Sequence, residues 1–320
     1  MSKKPTNGKE ETPLQIMLKM YPKRIARASL TPYKQFDEAV KNAFDDDGSI
    51  DKLHLWEQTT PETLEILFDC FKKAKVLSIR SLRLWKINAG DIGLKAVCDY
   101  LAENTDLLVL DMLDNGITNY GCQYLGALFG ANASHLKIKK LMFDHNNIGD
   151  DGLKFLCDGL RKSPYIEELS LSYCGLGPQA ANYLQQLIMN IDTKLEVLNI
   201  QGNSLGAEGC YQLLRALELN KKLKVVNISD NQIGEEKLFV DQLTKALETN
   251  NFLHNINISY NGIYQDTARL LLEIQKKKKQ TRIDLTDRFD YAFSEEYNTF
   301  MSKIKPKTVK RGKKKPAARK

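Results

Sequence analysis

Apolar and polar positions along this chain fall into one frame that keeps returning. A stretch in its first half runs Leu107, Leu110, Met112, Asn115, Ile117, Gly121, Leu125 and Leu128. The frame recurs as Ile138, Leu141, Phe143, Asn146, Ile148, Gly152, Leu156 and Leu160, and again from Ile166, Leu195, Leu223 and Leu253. Two degraded copies precede these, around Leu53 and Leu82, and a remnant, Ile283 and Leu285, closes the array. The central residues are Leu53, Leu82, Leu110, Leu141, Leu169, Leu198, Val226, Ile256 and Ile283, at steps of 29, 28, 31, 28, 29, 28, 30 and 27. Eight steps this even, carrying a repeated Asn, mark an internal repeat.

Each unit combines two periods. Leu-x-Leu is strand alternation, with both leucines on one side of the strand. After the Asn, apolar residues recur at helical spacing, as in Gly152, Leu153, Leu156 and Leu160. A strand and a helix in every unit stack into a solenoid with parallel strands inside and helices outside. Strands stack at ~4.8 Å and helices at about 10 Å, so the outer ring is longer and the array bends into a horseshoe. The expected fold is therefore α/β: about eight repeats and a terminal strand over residues 50–288.

The frame resembles the leucine-rich-repeat family, in particular its long, helix-bearing subclass typified by ribonuclease inhibitor. In that family the Asn side chain bonds neighbouring turn backbones and forms a ladder. The resemblance gives this role to Asn115, Asn146, Asn203, Asn231 and Asn261, with Cys174 as a substitute. Ile87 fills the slot in the second unit, where the ladder should fail. Cys98 and Cys157 share one repeat slot and Cys122 and Cys210 another, which points to packing rather than redox or metal chemistry.

Residues 1–12 read as a disordered polar lead and 13–49 as a helical cap on the first strand. The cap draws on Leu14, Met17 and Ile25, then Phe36, Ala39, Val40 and Phe44. The Asp-Asp-Asp-Gly run at 45–48 lacks the alternating ligands and late glutamate of a calcium loop, so it reads as a turn. Residues 289–304 carry five aromatics and read as a C-terminal cap; Lys276 to Lys279 follow a helix, where cations suit its negative end.

Charge changes the picture only at the end of the chain. Of 47 Lys and Arg, nine lie in 305–320: Lys305, Lys307, Lys310, Arg311, Lys313, Lys314, Lys315, Arg319 and Lys320. The rest carries 38 bases against 40 acids, a net of −2 for the body within a total of +7. This tail lacks core-forming residues other than Val309 and is expected to be a disordered, polyanion-binding segment. It holds no aromatic to stack bases, which weighs against nucleic acid.

No apolar run approaches the ~18 residues of a membrane span, and the start lacks the apolar core of a secretory signal. Reduced thiols in the cytosol or nucleus are then expected. Nothing assembles a reaction centre: the four histidines, His54, His135, His145 and His254, are scattered, and the glycines recur as repeat punctuation. The sequence predicts no enzyme, cofactor, metal or small-molecule substrate.

Strand alternation names the inner, concave surface instead. Its first third presents His54, Trp56, Arg83, Trp85, Asp111, Leu113, Met142 and Asp144, whereas later strands present Ser and Asn. Exposed Trp beside Arg is the composition of an interface anchor, so a protein partner is expected there, the other reading being that the N-terminal helices or the C-terminal aromatic segment fold over both tryptophans. The degraded leading repeat with Leu84-Trp85-Lys86, and the Lys-rich tail, resemble the leucine-rich-repeat proteins of motile cilia. That resemblance implies a non-catalytic axonemal component whose tail meets acidic tubulin termini. The alternative is a cytosolic or nuclear adaptor for a regulatory protein. A third reading, the GTPase-activating protein of the nuclear transport GTPase, shares the repeat subclass, but that family ends in acidic rather than basic sequence.

Overall fold

The computed structural model describes residues 11–36, 38, 49–278 and 281–304. Nine strands form one sheet in sequence order, and every neighbouring pair is parallel. They are β1 (Lys52–Leu55), β2 (Ser81–Leu84), β3 (Val109–Asp111), β4 (Lys140–Met142), β5 (Glu168–Ser170), β6 (Val197–Asn199), β7 (Val225–Asn227), β8 (Asn255–Asn257) and β9 (Arg282–Asp284). All nine central residues of the repeat lie in these strands, and they pair with one another across the sheet.

Helix α1 (Pro13–Arg27) precedes the array. The crossovers are α2 (Pro61–Lys73), α3 (Gly90–Leu101), α4 (Asn119–Asn132), α5 (Gly149–Leu160), α6 (Ala180–Met189), α7 (Gly206–Leu219), α8 (Lys237–Thr249) and α9 (Gln265–Lys277), and α10 (Tyr291–Met301) follows β9. Each leucine of a strand centre is buried in one core cluster with the inward residues of the helices, as are Leu110 and Leu125. Full burial of such a side chain stabilises by about 1.5–3 kcal/mol, and the solenoid repeats that term along its length. The six cysteines are buried and free, packed into the same core.

The ladder follows the asparagines. Asn146 Oδ1 accepts from the N–H groups of Asn115 and Ile117, both at 3.0 Å, while its Nδ2 donates to the carbonyls of Met112 and Phe143 at 2.9 Å. Cys174 donates its thiol to the Phe143 carbonyl at 3.2 Å but offers no amide oxygen in return. At Ile87 the side chain contributes nothing polar, and Asn115 Oδ1 accepts the N–H groups of Ile87 and Ala89 at 3.2 and 3.3 Å.

A second asparagine series, which the sequence reading passes over, lies where helices end. Asn250 Nδ2 donates to the carbonyls of Leu217 and Asn220 at 2.6 and 3.0 Å, and Asn220 Nδ2 to Ile188 at 2.6 Å. Helix C-termini leave carbonyls without partners, and these amides satisfy those of the preceding repeat. Lys278 does the same for α8, donating to the carbonyls of Leu247, Glu248 and Asn250.

Both ends of the sheet are sealed by side chains. At β1, Gln35 Oε1 accepts from the N–H of Trp56 at 2.7 Å, and the Tyr33 hydroxyl donates to the Glu57 carbonyl at 2.5 Å. At β9, the Tyr297 hydroxyl donates to the Ile283 carbonyl and accepts from the Leu285 N–H, both at 2.9 Å. An open strand edge invites pairing with another chain, and these contacts remove that template. The expected contributions of Ala39, Val40 and Phe44, and the turn at 45–48, lie outside the described residues, as do residues 1–10.

Candidate partner-binding face

Parallel pairing in register decides which side chains share the inner surface. Leu53, Leu82, Leu110 and Leu141 align and enter the core, so the residues that follow, His54, Arg83, Asp111 and Met142, align on the opposite side. Two positions further on, Trp56, Trp85, Leu113 and Asp144 make the next column.

At the N-terminal end these residues form one aromatic cluster. The His54 ring lies 5.0 Å from Trp56, tilted by 58°, and 4.3 Å from Trp85 in an edge-to-face contact at 76°. The imidazole therefore stands against both indoles. The Arg83 guanidinium lies 5.8 Å from the Trp85 ring centroid, within cation–π range. Trp56 is 56% exposed and Arg83 is exposed, while His54 and Trp85 are half-buried. Leu113 and Met142, also half-buried, extend the apolar surface onto the third and fourth repeats.

Burial, and then the positive charge of Arg83, push the His54 pKa down, so the ring is neutral at pH 7. Burial pushes the Asp111 carboxyl up, opposed by the Trp85 indole N–H and the Arg83 charge beside it. The indole N–H points to that carboxylate, whereas the buried His54 Nε2 makes no hydrogen bond. Such an unpaired buried atom costs about 1–3 kcal/mol.

The two acids of the predicted face have internal duties. Asp111 is 4% exposed and its carboxylate faces the backbone N–H of Leu113. Asp144 Oδ1 accepts from Ser170 Oγ at 2.7 Å and from the N–H of Ser172 at 2.6 Å. Asn199, Asn227 and Asn257, in the column of Asp111, repeat its contact to the residue two positions on, accepting from the N–H of Gln201, Ser229 and Ser259 at 3.3, 3.1 and 3.1 Å. This column closes side-chain-capped turns at the strand ends. What it leaves facing outward at the N-terminal third is His54, Trp56, Arg83, Trp85, Leu113 and Met142. Alternation says which side a residue faces, not which backbone N–H its side chain satisfies. The nine basic residues of 305–320 lie outside the described residues.

The family model described as "Leucine Rich repeat" matches residues 135–157, 192–214 and 219–236. Mouse ribonuclease inhibitor is 29% identical over 150 residues, 46% of this chain and 32% of that protein. The chain is a leucine-rich-repeat protein of the ribonuclease-inhibitor-like subclass. Human "NACHT, LRR and PYD domains-containing protein 13" is 28% identical to this leucine-rich-repeat chain over 172 residues, 53% of the chain. The chain matches 16% of that relative and about a third of ribonuclease inhibitor. Among solved structures, the tropomodulin C-terminal domain of Caenorhabditis elegans aligns with 57% of this chain and 99% of its own, at 17% identity and a TM-score of 0.41.

Leucine-rich-repeat scaffolds of this kind bind proteins and are generally non-catalytic. Among the described residues, no group of His, Cys, Asp and Glu is arranged to hold a metal ion. No helix among them is long and apolar enough to cross a membrane.

Proposed function

We propose that this chain is a non-catalytic scaffold that grips a protein partner on the N-terminal third of its concave face. The exposed Trp56 and Arg83, packed about His54 and Trp85, carry this reading. Interface hot spots are enriched in Trp and Arg around a centre that excludes water. Mouse ribonuclease inhibitor, by its name, acts on another protein, and it is similar to nearly half of this chain. Distal concave positions, by contrast, are mostly Ser and Asn, and Asn199, Asn227 and Asn257 are committed to turns.

The same proposal places the scaffold in the ciliary axoneme, with 305–320 touching an acidic partner such as tubulin termini. Leu84-Trp85-Lys86 in the degraded second repeat and the nine basic tail residues support that placement.

The test is capture of partners from ciliated-cell extract by the full chain, by Trp56→Ala/Trp85→Ala and by Gln201→Ala on a distal repeat. The tryptophan pair is expected to lose about 2 kcal/mol of binding or more, roughly thirtyfold, with Gln201→Ala close to unchanged. Unchanged capture by the tryptophan variant, with its fold intact by circular dichroism, moves the site elsewhere. A tagged copy retained in detergent-resistant axonemes supports the ciliary placement; a soluble cytosolic or nuclear pool favours the adaptor.

A further inference from the structure

A second open groove, of about 1210 Å³, runs along the edge where helices end and strands begin, spanning the repeats of β4 to β7. Seven lysines and four acids line it, an excess of three positive charges. Three of the lysines are already engaged with carboxylates: Lys139 with Glu167, Lys140 with Glu168 and Lys224 with Glu196. Lys222 is held by the carbonyls of Asn190, Ile191 and Thr193 at 3.1, 2.5 and 2.6 Å, the role expected of a cation at a helix C-terminus. Lys162, Lys194 and Lys221 differ from these four. They are exposed, and among the described residues they make no ion pair and hold no carbonyl. Asp192 is the one lining acid outside the three pairs.

We infer that this groove binds an acidic, extended segment of a protein partner, with Lys162, Lys194 and Lys221 each taking one carboxylate. The three lysines follow α5, α6 and α7, one in each successive repeat. They stand seven, four and five residues before the strand centres Leu169, Leu198 and Val226, so they share no single repeat slot, and the length of the lysine side chain takes up the difference. Alternate residues of an extended chain are about 6.6 Å apart, between the ~4.8 Å of stacked strands and the roughly 10 Å of packed helices, and they point the same way. An acid at every second residue can thus meet one lysine per repeat. Ile191, 87% exposed on the groove wall, adds an apolar contact.

A phosphate backbone fits less well. The lining has no aromatic to stack a base and no Arg to clasp a phosphate with two bonds. The inference is independent of the concave-face reading.

The probe is a short fluorescein-labelled peptide of alternating Glu and Thr, followed by anisotropy against the full chain at ~0.1 M salt. Exposed ion pairs are worth a factor of about two each, so Lys162→Gln/Lys194→Gln/Lys221→Gln should weaken binding roughly tenfold. The difference should vanish near ~1 M salt, where the screening length falls to ~3 Å. Lys313→Gln/Lys314→Gln/Lys315→Gln, made in the basic tail, should leave the groove-dependent loss in place. A groove variant that binds the peptide as tightly as the parent overturns the inference. So does single-stranded DNA that binds more tightly than the peptide and is lost on the same three substitutions, since the groove would then be a general polyanion site.

Discussion

The His54 imidazole and the Trp85 indole meet edge to face, with ring centroids 4.3 Å apart and planes crossing at 76°. The same imidazole lies 5.0 Å from Trp56, and the protein has two tryptophans in all. All tryptophan emission therefore arises from rings touching one titratable group. Imidazolium quenches indole more strongly than neutral imidazole does. Burial and Arg83 lower the His54 pKa, so emission should fall with a midpoint below the ordinary value of about 6.5. His54→Gln should abolish that step. The linked effect on stability has a definite sign. A folded pKa below the unfolded one means the unfolded chain takes up the proton first. The His54 contribution is then complete above pH ~6.5 and declines as pH falls toward the folded pKa. Fluorescence titration of the two chains, with thermal midpoints across the same range, checks both.

The asparagine ladder should be costly to cut in mid-array. Asn146→Ala removes the acceptor for two buried N–H groups, of Asn115 and Ile117, and the donor to two carbonyls. Each buried group left unpaired costs about 1–3 kcal/mol, and partial relaxation keeps the sum near ~3–5 kcal/mol. Asn190→Ala, at a half-buried site with one bond of 3.1 Å to the Arg161 carbonyl and one of 2.8 Å from the exposed Asp192 N–H, should cost about 1 kcal/mol. Urea unfolding of both variants separates the two cases.

These contrasts show how far the sequence reaches. The strand centres from Leu53 to Ile283, the parallel order and the Asn115-to-Asn261 ladder follow from periods of two and 3.6 residues, which the chain states openly. Asn190, Asn220 and Asn250 recur every 30 residues and were equally legible, but they lie outside the Leu-x-Leu frame that draws the eye. The candidate face was legible as a set of directions. Its geometry was not: that His54 contacts both indoles, and that Asp111 and Asp144 turn back to backbone N–H groups, depends on rotamers and on donors left over by neighbouring strands. The lysine groove was hidden for a related reason. Lys162, Lys194 and Lys221 look like Lys139, Lys140 and Lys224 until ion pairs between repeats separate the engaged from the free.

Thiol chemistry should be silent in the native protein. Burial pushes the Cys174 and Cys210 thiols up to about 12 and raises those of Cys98, Cys122 and Cys157 as well, so the reactive thiolate is scarce. All six cysteines are buried and free. Labelling by a thiol reagent at pH 8 should be slow and should follow the unfolding rate, with six equivalents reacting at once in denaturant. Rapid native labelling of Cys98, Cys122, Cys157 or Cys210 would show that this part of the core opens locally.

Glycines at two helical positions should respond in opposite directions to the same change. An alanine in a helix interior gains about 1 kcal/mol over glycine, so propensity alone makes any such substitution stabilising. At Gly159 in α5, an added Cβ would stand 2.4 Å from the Gly126 carbonyl oxygen and 3.0 Å from Gly126 Cα, both backbone atoms of α4. The two helices approach closely here, and neither contact can move aside as a flexible side chain would. Overpacking of this kind costs about 1–3 kcal/mol and can exceed the gain, so Gly159→Ala should destabilise by about 1–2 kcal/mol net. Gly130, near the end of α4, is the counter-case. The nearest atom to its added Cβ is the mobile Lys162 Nζ at 3.9 Å, ordinary contact. Gly130→Ala should therefore stabilise by up to ~1 kcal/mol, less any fraying of the last turn. Urea midpoints of the two variants against the parent make the comparison. Stabilisation by both would mean that α4 and α5 can separate at little cost and that the Gly126–Gly159 contact does not fix their spacing.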